Sequence, residues 1–488
     1  MIVRDEEQTL ARCLNSVRPI ADELVIVDTG SADNTVSVAR DFGAKICHFE
    51  WIDDFSAARN VSLGQARSDW ILQVDADEEL LPESIKVLQE AILNPWCLLY
   101  TITVDNGPTY SSRFFHPGRL FRNHPEMRYT RPYHETLRES ERRLRQLEPN
   151  WQIINEPNII LRHYGYDESY LKEGGKYARE IKILTSYVKD NPDDLDMTIR
   201  LAEILICVKQ CDEAMDICKK VITTNPDFAR AHHALGAAYW KMEQLDEAIS
   251  ELKKTIAIDT DFGFAHYRLG VAYCTKGRFE EAIRELQEAI ATEPHFALAR
   301  CWLGISYCKN GLLEEGIAVL KQAVSMDANL ALAHYWLGAV YNKQGFFQEA
   351  IAEFTQARTT DPDVDERLPY NLATAHFNLG TVFHSKGMLD EAIREYRCSL
   401  DLSPNDSQIH YNMGIAYETK GMVHKAIAEF EQSVAINPLF AQAHHRLAVL
   451  HHSREQHGLA IKHCDEAIKL GLNVDSQLID DLRPFRPE

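Results

Sequence analysis

At 488 residues the chain is too long for one ordinary hydrophobic core, so two or more domains are expected. Its 73 acidic against 52 basic side chains give a formal net charge of −21, which argues against general attraction to nucleic acid or an anionic membrane. Partners are therefore expected among small molecules, peptides and proteins.

The opening residues, Met1-Ile-Val-Arg-Asp-Glu-Glu, turn acidic at once and lack the basic start and apolar core of a signal peptide. No apolar run approaches the length that crosses a bilayer. The eleven cysteines are scattered, with no Cys-x-x-Cys pair. A cytoplasmic location with reduced, buried thiols is the expectation.

Ile2-Val3 is a short apolar run, and Leu10, Leu14 and Val17 follow at helical spacing. Leu24 to Asp28 is β-rich and leads through the turn formers "TGSADNT" into a helix that ends at Gly43. Lys45 to Phe49 is a third run, Asp54 to Arg67 reads as a helix, and Trp70 to Asp75 reads as a fourth strand. Strands and helices alternating at this spacing predict a mostly parallel, doubly wound α/β sheet. Right-handed crossovers then set the strand ends along one edge, where such sheets bind ligands.

That edge is acidic. It collects Arg4-Asp5-Glu6-Glu7, Asp28 and Asp75-Ala76-Asp77. So many carboxylates repel one another, and a hard divalent cation, Mg²⁺ or Mn²⁺, shared with substrate phosphates relieves this. Glu78 and Glu79 are expected to start the next segment or to tune the local charge. No Gly-x-Gly-x-x-Gly follows strand one and no Gly-x-x-x-x-Gly-Lys-Ser/Thr occurs, so a dinucleotide oxidoreductase and a P-loop NTPase fit poorly.

Four segments in this order, "MIVRDEEQTLARCL", "ELVIVDTGSADNT", "DDFSAARN" and "WILQVDADEEL", resemble the N-terminal half of inverting family 2 glycosyltransferases of GT-A fold. Downstream, "YHETL" from Tyr133 and "RHYGYDESYL" from Arg162 resemble the subgroup in which this domain precedes tetratricopeptide repeats, a layout similar to peptide glycosyltransferases. The resemblance implies that Asp28 binds the nucleotide base, uracil by preference, and that Arg59 contacts the base or the diphosphate. Asp75 would lie near the ribose and metal, and Asp77 would ligate the metal. Arg4 and Glu6 complete the donor-side candidates.

Glu135, beside His134, is the candidate general base for an inverting transfer, with Asp105 as an alternative. His163 is a candidate metal or diphosphate contact, or else a packed residue beside Tyr164. Of Arg113, Arg119, Arg122, Arg128 and Arg131, one or two could grip an anion, and the rest are expected on a solvated surface. Plainer roles stand beside these: Asp28 capping its turn, Arg59 pairing with Asp53 or Asp54, and Glu135 pairing with a nearby arginine.

From about residue 193 the chain repeats. Leu201, Leu235, Leu269, Leu303 and Leu337 are 34 apart, and after one step of 42 the series resumes at Leu379, Met413 and Leu447. Small residues follow nearly every one, as at Gly236, Gly270 and Gly338, and prolines such as Pro226 and Pro294 end the units. This pattern, with tyrosines such as Tyr239 and Tyr273, resembles about eight tetratricopeptide repeats, which implies a helical solenoid that binds peptides or proteins. The extra residues near "DVDERLPY" are expected to lengthen a turn between repeats.

A histidine recurs three before the leucine, at His232, His266, His334, His376, His410 and His444. It is expected to pack between the two helices of a repeat rather than to bind metal. Cys207, Cys211 and Cys218 are read as sharing one helical face, as packed residues.

The expected layout is a GT-A domain over 1–165, a connecting helix over 166–192, repeats over 193–472 and a C-terminal cap over 473–488. The leading expectation is an enzyme moving a hexose from a nucleoside diphosphate sugar, UDP-linked, to a peptide or protein recruited by the repeats, or to a glycan. The alternative is a scaffold whose GT-A domain is inactive or only senses sugar. A nucleotidyltransferase would share metal and nucleotide, but its glycine-rich, basic phosphate loop is missing after strand one.

Overall fold

The structure, a computed structural model, describes residues 1–105, 113–133, 135–164 and 175–486. They form two compact units, Met1–Ser306 and Tyr307–Glu488. The first unit joins the α/β domain to the opening repeats, and the second is helical repeat throughout.

In the first unit β1 (Ile2–Val3), β2 (Val25–Asp28) and β3 (Lys45–His48) make a parallel sheet, in which Val3 stands beside Asp28 and Asp28 beside His48. Between them run α1 (Leu10–Val17) and α2 (Thr35–Asp41), and α3 (Phe55–Gln65) follows. Leu10, Leu14 and Ile26 are buried together with Val3, so the helical and strand periods read from sequence meet in one core.

The fourth strand departs from expectation. Regular pairing in β4 (Trp70–Leu72) stops before Asp75, and its partner is antiparallel β7 (Arg113–Arg122) rather than the parallel sheet. β4 edges a second, mixed sheet ordered β4-β7-β6-β8-β5, with β5 (Glu78–Leu80), β6 (Cys97–Asp105) and β8 (Gln152–His163). The physical reason lies in the company Trp70 keeps. The Arg122 guanidinium lies 4.2 Å from its ring centre and Tyr100 packs beside it at 5.7 Å, which favours pairing with β7. The helices α4 (Ser84–Ala91) and α5 (Arg138–Leu147) complete the domain. A cavity of about 540 Å³ lies between β2 and β4, lined by apolar residues such as Leu24, Ile26 and Leu72, and none of the acidic candidates lines it.

Helix α6 (Gly175–Asp190) leads into α7 (Leu195–Cys207) and α8 (Cys211–Thr224), the first repeat. Leu201, Leu235 and Leu269 are buried in this unit, and Leu337, Leu379 and Leu447 in the second. The small residues are explained by contact: a Cβ on Gly270 would meet Leu286 at 2.5 Å, and one on Gly338 would meet the Phe354 ring at 2.7 Å. No described helix is long and apolar enough to cross a membrane.

Two details correct the reading from sequence, and a third sharpens it. The extra residues of the long repeat mostly lengthen a helix, Leu368–Ser385, because Leu368 and Leu372 on its added turn find buried positions. Cys207 ends α7 while Cys211 and Cys218 lie on α8, so the three share no single helical face; Cys211 and Cys218, seven apart, share the buried face of α8, and Cys207 is exposed. The six histidines do bridge the two helices of their own repeats, and five of them do so onto a particular acid. The ring Nδ1 of His232, His266, His334, His376 and His410 lies 2.6 to 2.8 Å from Glu251, Glu285, Glu353, Glu395 and Glu429. In the last repeat His463 takes the acid's place, 2.9 Å from His444. The helix Ser476–Leu482 then packs Leu478 and Leu482 onto that repeat.

Candidate active site

Beyond β4 the chain turns sharply, with Glu78 N–H donating to the Asp75 carbonyl at 3.1 Å. This turn presents Asp75 to two arginines. Arg59 on α3 donates from Nη2 to Asp75 Oδ1 at 3.0 Å, and Arg119 on β7 donates from Nη1 to Asp75 Oδ2 at 3.1 Å. Gln73 Nε2 adds a third bond to Oδ1 at 3.0 Å. Burial works against ionisation of Asp75, but the Arg59 and Arg119 guanidiniums outweigh it and hold the carboxyl far below the usual range.

The chain of charges continues on both sides. Arg119 Nη2 donates to Glu78 Oε1 at 2.8 Å, while Glu78 Oε2 accepts from Asp75 N–H at 2.8 Å. Arg59 Nε donates to Glu135. Desolvation would lower the Arg59 pKa, yet Asp75 and Glu135 raise it, so its charge is secure. The result is an alternating row of Glu78, Arg119, Asp75, Arg59 and Glu135. Arg59 Nη1 and Arg119 Nε are buried without a hydrogen-bond partner among the described residues.

Next in the turn, Asp77 lies 3.0 Å from His163 Nε2 at the end of β8, because β5 pairs Glu78 opposite His163. Burial disfavours the charged ring, but the Asp77 carboxylate prevails and raises the His163 pKa. Glu6 is raised as well, first by burial and, against a hydrogen bond from Thr9, by the charges of Asp77 and Asp75.

Asp28 is buried at the end of β2, accepting from Ser31 N–H at 3.0 Å and lying 3.2 Å from His48 Nδ1. Burial opposes its ionisation, and the hydrogen bonds from Ser31 and His48 hold its pKa low. Arg4 is exposed, 3.8 Å from Asp5. Asp105 lies 3.6 Å from Arg162.

The structure thus brings Arg59, Asp75 and Glu135 together, and separately Asp77 and His163. Arg59 pairs with neither Asp53, which binds Lys182, nor Asp54, which caps α3. Arg119 and Glu78 are members that sequence reasoning left out or did not single out. Of the five arginines, Arg122 and Arg131 are half-buried and bonded to the Cys97 and Asn94 carbonyls and to Asp194 respectively, and Arg128 is exposed. His134 and the side chain of Arg113 lie outside the described residues.

Among the described residues no three His, Cys, Asp or Glu side chains converge as a complete metal site. Asp77 keeps 29% of its side chain exposed and stands beside an imidazole, whereas both oxygens of Asp75 are engaged by guanidiniums.

Residues 1–166 match the model of "Glycosyl transferase family 2". The N-terminal domain belongs to that family. Tetratricopeptide repeat models match residues 206–272, 272–311, 306–345, 380–421 and 411–471. The chain is 42% identical over 206 residues to a TPR repeat-containing protein of Synechococcus elongatus, covering 42% of this chain and 51% of the relative. It is 27% identical over 250 residues to the SPbeta prophage-derived glycosyltransferase SunS of Bacillus subtilis, covering 49% of this chain and 56% of that protein. An uncharacterized glycosyltransferase of Rickettsia typhi is 39% identical over 83 residues, 17% of this chain and 28% of its own. The chain spans about half the length of the first two.

Proposed function

We propose that the protein is an inverting hexosyltransferase that uses a nucleoside diphosphate sugar, UDP-linked, and glycosylates a peptide or protein engaged by its repeats. The observation that carries this reading is the Asp75 turn, held between Arg59 and Arg119 in a family 2 domain with Asp77 beside it. Asp28 receives the nucleotide base at the end of β2, and Asp75 faces the ribose. Arg59, its charge fixed and its Nη1 buried without an acceptor among the described residues, donates to a diphosphate oxygen. Asp77, with His163, would hold Mg²⁺ or Mn²⁺. Such a cation offsets charge on the departing nucleoside diphosphate. Glu135 is the candidate base that takes the acceptor's proton as its nucleophile attacks the anomeric carbon. The eleven free cysteines suit a reducing cytoplasm.

The test is the product. With a panel of nucleotide sugars and a peptide library, mass spectrometry should find one hexose on a peptide, and NMR should find the anomeric configuration inverted. Retention of configuration would overturn the mechanism, and sugar found only on lipid or glycan would overturn the acceptor.

A further inference from the structure

The segment between β7 and α5 touches both the charge row and the first helices of the solenoid. Thr130 and Thr136 exchange backbone hydrogen bonds at 2.9 and 3.0 Å and close the base of a loop. Within it, Glu135 bonds Arg59. Arg131 forks onto Asp194, Nε to Oδ2 at 3.0 Å and Nη2 to Oδ1 at 3.1 Å, just before α7. The Tyr133 hydroxyl donates to Glu180 of α6, which is buried. The Tyr133 ring packs at 6.0 Å on Phe55, the first residue of α3, and Phe55 N–H donates to the Pro132 carbonyl at 2.9 Å. Beside it, Lys182 of α6 donates to Asp53 at 2.7 Å.

Two of these contacts are made by residues with left-handed backbone, Arg131 at φ +73° and Asp53 at φ +60°. Non-glycine residues hold that conformation where their surroundings impose it. The network also runs past α7. Asp196 lies 3.8 Å from Arg131 and 3.0 Å from Arg230 of the second repeat, and Arg230 in turn grips Glu203, 3.1 Å away. A mere tether would need none of this.

We propose that the opening helices of the solenoid are a working part of the transferase: through Arg131 and Tyr133 they fix the Thr130–Thr136 loop, which sets Glu135 against Arg59 and so aims Arg59 at Asp75. Arg131 and Tyr133 are positioning residues, acting through Glu135. This rests on the transferase reading for its consequence in turnover, but the geometry can be read without turnover.

Two conservative variants test it in the full chain. Tyr133→Phe keeps the ring on Phe55, and Asp194→Asn keeps a side chain able to cap α7 at Met197. The first readout is the Arg59 Nε–H resonance in NMR, assigned by its loss in Arg59→Lys. It should shift in both variants toward its position in Glu135→Gln. The second readout is turnover, where each variant should lower kcat about tenfold; Glu135→Gln, which removes the candidate base, serves only as the reference for the Arg59 resonance. An unmoved Arg59 resonance, or an unchanged kcat in both variants, would overturn the proposal. If the wild type turns over no donor, the transferase reading fails by itself, and the Arg59 resonance still decides the strut.

Discussion

Glu78 is 1% exposed, and burial raises its pKa to about 7 against the Arg119 guanidinium opposite, which favours the charged form. Arg119→Met should leave the carboxylate buried without its cation and cost about 3–5 kcal/mol in urea unfolding of the first unit. Adding Glu78→Gln should recover the share of that loss that belongs to Glu78, but not the share from Asp75 Oδ2, which Arg119 also holds. A single variant as stable as wild type would show that the pair does not hold the turn. In sequence, Asp75, Asp77, Glu78 and Glu79 look alike, and what separates them is alternation along β5. Glu78 shares a face with buried Leu80, while Glu79 points the other way and accepts from the Tyr164 hydroxyl at 2.7 Å. An acid in phase with an apolar strand residue was the available signal. Arg119 gave none, because five arginines crowd that segment and only pairing with β4 decides which one meets Asp75.

At the scale of the helix pair, two histidines of the repeats, His334 and His463, respond to pH in opposite ways. In His334 the Glu353 carboxylate outweighs burial and raises the pKa above 6.5. Its stabilisation is therefore fully present below pH 6.5 and lost as pH rises through the raised value. His463 is the reverse: burial, then His444, His451 and Lys462, against Glu466, bring it from 6.5 down to about 4. Its neutral form stabilises the last repeat above pH 6.5, and this is lost as pH falls toward 4. Hydrogen exchange should show Ala441–Lys469 opening first between pH 6.5 and 4, and His463→Glu should remove that opening by restoring the acid found in earlier repeats. Uniform protection across the second unit in that window would contradict this. The repeat itself was legible, since a step of 34 residues with fixed small positions survives any local ambiguity. The histidine's acid was less so, lying 19 residues away on the other helix.

Across the whole molecule, the order of an α/β domain followed by a helical solenoid was written in two periods, strand–helix alternation and the long repeat. The division of the strands between two sheets was not, because Trp70 to Leu72 carries no mark of which neighbour it pairs with. Nor was the engagement of the domain with the first repeats, which rests on single polar residues such as Arg131 and Asp194. The account's central claim is that the acidic turn after β4 serves donor chemistry. It is tested most directly by nucleoside diphosphate release from a panel of nucleotide sugars with Mg²⁺ or Mn²⁺, comparing wild type with Asp77→Ala. The account predicts release by the wild type from one class of donor, reduced at least about a hundredfold in the variant, as expected when a group stabilising the leaving charge is removed. Equal release by both proteins, or none from any donor, would contradict it.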